Sequence, residues 1–267
     1  MHPHPAVIDG FHYGWLNPVL SYLVACTGAA LGLRCTVRAL DLPPRRRLGW
    51  LLLGAAEIGC GIWTMHFLAM LGFTVSGSTI LYNVPLTMCS LVLAIVVCGL
   101  GILYVGYRPR SLSTLLIGGT VMGLGVAAMH YLGMAAMHVQ GQVSYDALTV
   151  AGSIAIAVAA SATALWMTLN ITGMLASLAS ALIAGVAVVA MHYTGMAAVS
   201  VVLDGRTPVG GLPASQFITP LAVAVLVLLS LGGIALMLSP HDASLSGLDR
   251  DRDRPEPVRV PLFEHRG

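Results

Sequence analysis

Seven segments of this chain are apolar over about 20 residues or more, the length that crosses a bilayer as a helix. They lie near residues 15–37, 49–72, 83–105, 112–136, 147–169, 173–199 and 217–238. Only 9% of the residues are charged and the mean hydropathy is +0.86, whereas soluble domains carry about 25% charged residues. The sequence therefore predicts an all-α membrane protein with seven transmembrane helices. Arg without Lys, together with abundant Ala and Gly, fits a GC-rich bacterial genome, so we expect the inner (plasma) membrane of a bacterium.

The basic residues predict the orientation of these helices. All thirteen are Arg, and every one except Arg206 flanks the first loop, lies in the third loop or belongs to the C-terminal tail. The positive-inside rule then places the N-terminus outside and the C-terminus in the cytoplasm. No basic residue precedes Arg34, so we expect no cleavable signal peptide. We also expect no nucleic-acid partner, because the arginines form no patch on a folded surface.

One short phrase occurs three times within the apolar segments. The copies are Met65-His66-Phe67-Leu68-Ala69-Met70, Met129-His130-Tyr131-Leu132-Gly133-Met134 and Met191-His192-Tyr193-Thr194-Gly195-Met196. The histidines are 64 and 62 residues apart, which is typical of an internal repeat. Each copy has a Gly seven residues before its His (Gly59, Gly123, Gly185), and a Tyr and a Ser eight residues apart on the preceding helix (Tyr13 and Ser21, Tyr82 and Ser90, Tyr145 and Ser153). One repeat is thus an inward helix, a cytoplasmic turn and an outward helix. Six of the helices form three such pairs.

The repeated histidines are candidate metal ligands. A polar imidazole is costly in an apolar medium and needs a partner or a ligand. On a helix, His and the Met four residues later share a face, and imidazole with thioether is a soft ligand set suited to copper. The candidate ligands are His66, His130, His192, Met70, Met134 and Met196. The methionines directly before the histidines are less favoured as ligands, because they are rotated by about 100° from the His face of each helix. They would then face lipid or a neighbouring helix instead of the site. These are Met65, Met129 and Met191.

All three phrases lie at the same depth, near the outer ends of the second, fourth and sixth helices. We therefore expect an approximately threefold arrangement with the histidines turned to a shared centre. Polar residues at the same outer surface are candidates for fixing the imidazole tautomers. These are Tyr82, Asn83, Tyr145 and Asp146.

Structural explanations compete with the metal site. A histidine within a membrane is often a hydrogen-bonding core residue, and Met often fills irregular gaps. His138 is a weaker auxiliary candidate, and the outer histidines (His2, His4 and His12) are either solvated or able to capture Cu(II). Glu57 is a functional candidate because it is an intramembrane carboxylate, yet it lies off the His face, so a protonated, hydrogen-bonded structural role is favoured. Cys60 lies on the same helix as His66, but we interpret all five cysteines as small apolar core residues.

The Met-His-Tyr phrases and the Gly-Met pairs that follow resemble the bacterial MHYT domain. The first copy departs from the pattern at Phe67 and Ala69. The resemblance covers roughly residues 12–203, leaving residues 1–11 as an outer N-terminus, a seventh helix at 217–238 and a charged cytoplasmic tail at 239–267 whose composition predicts disorder. It implies an integral membrane sensor domain proposed to bind copper near the outer face and to sense O2, CO or NO. Many members carry GGDEF or EAL domains for cyclic di-GMP turnover, which we do not expect here.

The function classes that remain are few. No catalytic arrangement is apparent, so we do not expect an enzyme. The favoured hypothesis is a sensor of a diatomic gas or of redox state that acts through a separate cytoplasmic partner. The alternatives are a copper-handling protein without signalling and, less favoured, a transporter with Glu57 in a polar path.

The topology can be tested with reporter fusions. Alkaline phosphatase fused after Ser78 or Gln140 should be active, because these loops face outward, while fusions after Pro43 or Pro109 should be inactive. β-Galactosidase fused at the same four sites should give the opposite pattern. Phosphatase activity after Pro43 would contradict the orientation.

Overall fold

The computed structural model describes residues 4–10, 12–170, 173–204 and 210–238. Within these ranges the chain forms α1 (Leu16–Leu40), α2 (Pro44–Met70), α3 (Val84–Tyr107), α4 (Leu112–Ala135), α5 (Ala147–Asn170), α6 (Met174–Ala197) and α7 (Ile218–Leu238). Each of the seven is long and apolar enough to cross a membrane, which confirms the seven predicted spans. The predicted tail at 239–267, His2 and Arg206 lie outside the described residues.

Several helices begin where short polar side chains satisfy free backbone N–H groups. Asn83 accepts a hydrogen bond from the backbone of Leu86 at 3.0 Å, and Ser111 accepts one from Thr114 at 3.1 Å. These are N-caps, which stabilise a helix start by about 1 kcal/mol. α2 instead starts with Pro44 in its first turn, a position where Pro needs no N–H partner.

The first six helices form a closed ring. Each packs against the next helix along the chain, and α6 packs against α1. α7 lies outside the ring, against α2 and α1. The helix pairs are therefore not separate units, since α2 packs on α3 and α4 packs on α5 as extensively as within most pairs.

The glycines seven residues before each histidine hold the repeats together. A Cβ on Gly59 would lie 2.7 Å from the Cα of Ile95 on α3. A Cβ on Gly123 would lie 2.7 Å from the carbonyl oxygen of Ala157 on α5, and one on Gly185 would meet Cys26 on α1. Each of these glycines therefore lets an outward helix contact the first helix of the next repeat closely, as predicted from small residues in membrane helices.

Short strands cover the end of the bundle at which α2, α4 and α6 finish, so the all-α expectation was incomplete. They are β1 (His4–Pro5), β2 (Ile8–Asp9), β3 (Thr74–Val75), β4 (Leu81–Tyr82), β5 (Met137–His138), β6 (Gly141–Tyr145), β7 (Val199–Leu203) and β8 (Leu212–Pro213). They form three antiparallel sheets in the orders β1-β7-β6, β2-β3 and β5-β4-β8. Most have only two residues, too few to show the alternation that signals a strand in sequence. The strands join the N-terminal residues to the loops that follow α2, α4 and α6.

Gly61→Val should separate α1 from α2. A Cβ on Gly61 would lie 2.8 Å from the Cα of Gly28, so the larger side chain forces the backbones apart at a cost of about 1–3 kcal/mol. Thermal unfolding in detergent should show a lower midpoint. Gly152→Ala is the matched control, because a Cβ there meets nothing within 4 Å. Equal unfolding midpoints for both variants would contradict the close helix contact.

Candidate metal centre

The three repeated histidines meet on the axis of the ring. His66 on α2, His130 on α4 and His192 on α6 are each only 1% exposed. Their Nδ1 atoms are 3.0 Å apart for His66 and His192, 3.1 Å for His66 and His130 and 3.3 Å for His130 and His192. The predicted convergence of the histidines is confirmed. We call these three side chains the histidine cluster.

The rings stand nearly perpendicular to one another, with interplanar angles of 81°, 78° and 89°. A neutral imidazole has one N–H and one lone pair. Three mutually close nitrogens cannot alternate donors and acceptors, since at least one pair must be two donors or two acceptors. Charging the rings would place cations in an apolar interior, which is more costly still. Hydrogen bonding alone therefore leaves the cluster unsatisfied.

A metal ion resolves this conflict. With all three protons on Nε2, three Nδ1 lone pairs point into one small volume. Metal–imidazole bonds are about 2.0–2.1 Å long. Nitrogens spaced 3.0–3.3 Å apart are close enough together for His66, His130 and His192 to bind one ion at that distance. The cluster, whose ligand atoms all lie within 4.8 Å of one another, could hold a metal ion.

The glycines within the repeated phrase make room for the imidazoles. A Cβ on Gly133 would lie 3.0 Å from Cδ2 of His66, and one on Gly195 would lie 3.0 Å from Cδ2 of His130. Both would press harder still on the Nε2 atoms. Those two Nε2 atoms have no hydrogen-bond partner among the described residues. The first copy has Ala69 at the equivalent position, so the threefold symmetry is approximate.

The methionines directly before the histidines and those four residues after them are buried or half-buried. Met65, Met129 and Met191 are at most 1% exposed, which excludes the lipid-facing option. Among the residues four positions after the histidines, Met70 and Met134 are buried and Met196 is half-buried. Because helix side chains tilt toward the N-terminus, these later methionines lean back toward the layer of the histidines. Their role as ligands stays a prediction.

The four predicted tautomer-fixing residues make other contacts. Asn83 caps α3, and Oδ1 of Asp146 accepts hydrogen bonds from the Thr149 hydroxyl at 2.6 Å and the Thr149 backbone at 2.9 Å. These two bonds hold the pKa of Asp146 below its ordinary value. Burial raises the pKa of Tyr82 and that of Tyr145. Within the described residues, none of the four donates to or accepts from the histidine cluster.

Tyr82 and Tyr145 instead contact the aromatic residue that follows a histidine. The ring centroids of Tyr82 and Phe67 are 6.0 Å apart, as are those of Tyr145 and Tyr131. Phe67 and Tyr131 in turn stand edge-on to their neighbouring imidazoles, at 4.7 Å and 4.8 Å. These tyrosines therefore lie one aromatic ring away from the histidine cluster.

Two hydrogen bonds, one buried and one partly buried, link aromatic residues near the cluster to the next repeat. We call them the aromatic latches. Tyr131 on α4 lies 2.6 Å from Oγ of Ser153 on α5. Ser153 donates its own proton to the Val150 carbonyl, so Tyr131 is the donor of this latch. In the first repeat, where Phe67 has no hydroxyl, the indole N–H of Trp63 donates to Ser90 at 3.0 Å.

Sequence reasoning noted the Tyr–Ser spacing but missed the latches. The signal was present, because Ser90 and Ser153 occupy equivalent repeat positions inside apolar helices, where a hydroxyl needs a partner. Trp63 could not be found this way, because the equivalent residue in the second repeat is Ala127.

The remaining polar candidates lie apart from the cluster. Glu57 is 3% exposed, with Oε1 against Gly232 of α7, and its Oε2 has no partner among the described residues. The expected hydrogen bonding of this carboxylate is thus incomplete. His138 is near the Gly210 carbonyl, 3.4 Å from it, and His12 stacks edge-on against Tyr13. Cys60 is a buried free thiol.

Fold and site together define a class: a multi-pass helical protein of the bacterial inner membrane in which three sequence repeats each contribute one buried histidine to a shared centre. A family model described as "Bacterial signalling protein N terminal repeat" (MHYT) matches residues 59–118, 123–181 and 185–247. These matches cover more than half of the sequence, and the chain belongs to the MHYT family. The three matched units begin at Gly59, Gly123 and Gly185, the glycines that join the repeats.

Curated relatives are signalling proteins. The chain is 36% identical over 239 residues to the "Bifunctional diguanylate cyclase/cyclic di-GMP phosphodiesterase MucR" of Pseudomonas aeruginosa, covering 87% of this chain and 34% of that protein. It is 37% identical over 197 residues to the "Cyclic di-GMP phosphodiesterase NbdA" of the same organism, covering 71% of this chain and 25% of that protein. The chain thus spans only about a quarter to a third of these relatives. No solved structure matches it.

Tyr131→Phe should weaken one aromatic latch. It removes a partly buried hydrogen bond and leaves the buried Ser153 oxygen without its donor, which we expect to lower stability by about 1–2 kcal/mol. Unfolding in detergent, followed by circular dichroism, measures the change. Tyr107→Phe is the control, because that hydroxyl is exposed and 3.4 Å from the Pro44 carbonyl, and its effect should stay within about 0.5 kcal/mol. Indistinguishable curves would argue against the latch.

Proposed function

We propose that this chain is the membrane-embedded sensor module of a signalling system, and that its histidine cluster holds a copper ion. The observation that carries the proposal is the triangle of Nδ1 atoms, 3.0–3.3 Å apart and buried. Neutral imidazoles cannot satisfy this triangle by hydrogen bonding, whereas one cation accepts all three lone pairs.

The donor set supports copper over zinc. His66, His130 and His192 supply three nitrogens, and the thioethers one turn further along the helices are soft donors that favour Cu(I). Met70, Met134 and Met196 are the first choices for a fourth ligand, with Met65, Met129 and Met191 as possible substitutes. Copper in such a site would supply a one-electron redox couple and affinity for a diatomic gas such as O2, CO or NO.

The chain's own residues can carry a change at the cluster into the bundle. Each histidine belongs to a different repeat, so any change in the Nδ1 spacing moves three outward helices relative to one another. The aromatic latches fasten the residues beside His66 and His130 to α3 and α5. These helices continue to the side that the arginines assign to the cytoplasm.

The enzymatic response to the sensed signal is carried out by a separate partner protein in the cytoplasm. MucR and NbdA carry names that describe cyclic di-GMP synthesis or hydrolysis. We therefore infer that the module regulates a cyclic di-GMP enzyme rather than performing catalysis itself.

Copper handling without signalling is the second candidate, and exchangeable metal with no effect on an output enzyme would favour it. Transport is less well supported, because Glu57 faces α7 at the outside of the ring and not the central axis. A polar path through the bundle would need further polar side chains on that axis, beyond the layer of the histidine cluster.

The proposal predicts a metal content set by the cluster. Purified protein should contain about one copper ion per chain, and the triple variant His66→Ala, His130→Ala, His192→Ala should contain almost none. Elemental analysis gives the content, and X-ray absorption should show nitrogen ligands with at least one sulfur. His138→Ala, which removes an outer histidine, is the matched control and should keep the metal. Equal copper in the triple variant and the wild type would remove the site.

A further inference from the structure

The interior of the ring contains an apolar cavity on the cytoplasmic side of the histidine cluster. Its volume is about 40 Å³. Among its lining residues, Ile62 and Val188 each lie four residues before a cluster histidine, which is one helical turn or about 6 Å. Ala25 and Ala29 of α1, which packs between α2 and α6, also line the cavity. The cavity therefore reaches the layer directly beneath the imidazoles.

The chemistry of the cavity suits a small apolar molecule. A buried water needs about 10–15 Å³ and two to four polar partners. The space is sufficient, but Ser161 is the only lining residue with a polar side chain. Water is therefore poorly held, while an acyl chain is too large for about 40 Å³.

A second space lies next to this cavity, on the outer surface of α5 and α6. A groove of about 270 Å³ runs along the outer surface of these two helices. Ala160, Ala164 and Ala184 line both the groove and the cavity. All three are half-buried, as expected where the wall between interior and lipid is thin.

A comparison of equivalent positions in the three repeats explains why the groove and cavity lie between α5 and α6. At the position of Gly32 in the first repeat, the second repeat has Gly101 and the third has Ala164. A Cβ on Gly32 would lie 2.8 Å from a carbonyl oxygen of α2, and one on Gly101 would lie 2.9 Å from Met122 of α4. An alanine cannot allow the same approach, so the third pair stays further apart.

A second set of equivalent positions shows the same substitution. Gly61 of α2 and Gly125 of α4 each approach their partner helix too closely to admit a Cβ without displacement, and Ala187 takes this place on α6. Ala187 lines the outer groove. Within the described parts of α5 and α6, no glycine brings these two helices into such contact.

We propose that the α5–α6 seam is a lateral portal through which a small apolar molecule passes from the bilayer into this cavity and reaches the underside of the histidine cluster. Apolar solutes concentrate in hydrocarbon rather than water, so the bilayer is the richer source. The portal deepens the proposed function and rests on it for its role in gas sensing, but the cavity itself is independent of any metal.

Xenon tests the cavity separately from the metal. In protein with labelled alanine and valine methyl groups, xenon pressure should give saturable NMR shifts at Ala184 and Val188. The lipid-facing Ala155 and Ala190 should shift only linearly. The triple variant that lacks the cluster histidines should still give saturable shifts at Ala184 and Val188, although the space above them is larger. Linear shifts at every methyl group would overturn the cavity and leave the copper proposal intact. Saturable shifts in a wild-type protein that contains no copper would support the cavity and overturn the copper proposal.

Portal variants test the route. Ala184→Phe fills the place where groove and cavity meet, so it should abolish the saturable shift at Val188 and slow the spectral response of copper-loaded protein to CO at least tenfold. Ala190→Phe, on the exposed face of α6, should change neither by more than twofold. Should Ala184→Phe fail to fold, Ala160→Leu across the seam replaces it. An unchanged CO response in a folded portal variant would overturn the route.

Discussion

The structure depends on burying three imidazoles at one point in an apolar bundle. Each ring alone would need a polar partner, and the three rings together cannot satisfy one another because a triangle of nitrogens cannot alternate donors and acceptors. A cation bound by one nitrogen from each repeat would remove the conflict. This requirement explains why the three outward helices carry His at matched depth and why the repeats close into a ring rather than lying as an open row. The glycines beside His66 and His130 then set the space in which the rings stand.

The same glycines account for the close packing of the helices and for the convergence of the histidines. Membrane helices gain little from hydrophobic burial against each other, so close contact at small residues contributes much of their association. Gly59, Gly123 and Gly185 lie on the His face two turns before each histidine, and each contacts the next repeat. The residues that bring the repeats together therefore also aim the histidines at the axis. The family model begins its three units at these glycines, in agreement with this reading.

Features marked by a periodic or repeated residue pattern could be predicted from the sequence. Features that depend on which residue contacts which in the folded chain could not. Seven spans follow from hydropathy alone, and the histidine cluster follows from three equivalent helix ends. The Trp63–Ser90 latch was hidden, because the first repeat replaces a tyrosine hydroxyl with an indole from one turn earlier. The outer strands were hidden because two-residue strands have no period. The use of Asn83 and Asp146 as helix caps shows a simpler role for polar residues at helix starts than the one expected from their nearness to the site.

Departures from threefold symmetry determine which side of the ring can open. The short strands cover the end of the bundle at which α2, α4 and α6 finish, next to the cluster. α7 packs on α1 and α2, so the first pair is shielded from lipid on its outer side, and Gly101 and Gly125 keep the second pair closely packed. Only the third pair combines alanine at both equivalent positions with a free outer surface. A symmetric ring would have offered either three openings or none. The substitutions Ala164 and Ala187 thus convert a repeated scaffold into one with a single lipid-facing approach to the space beneath the histidines.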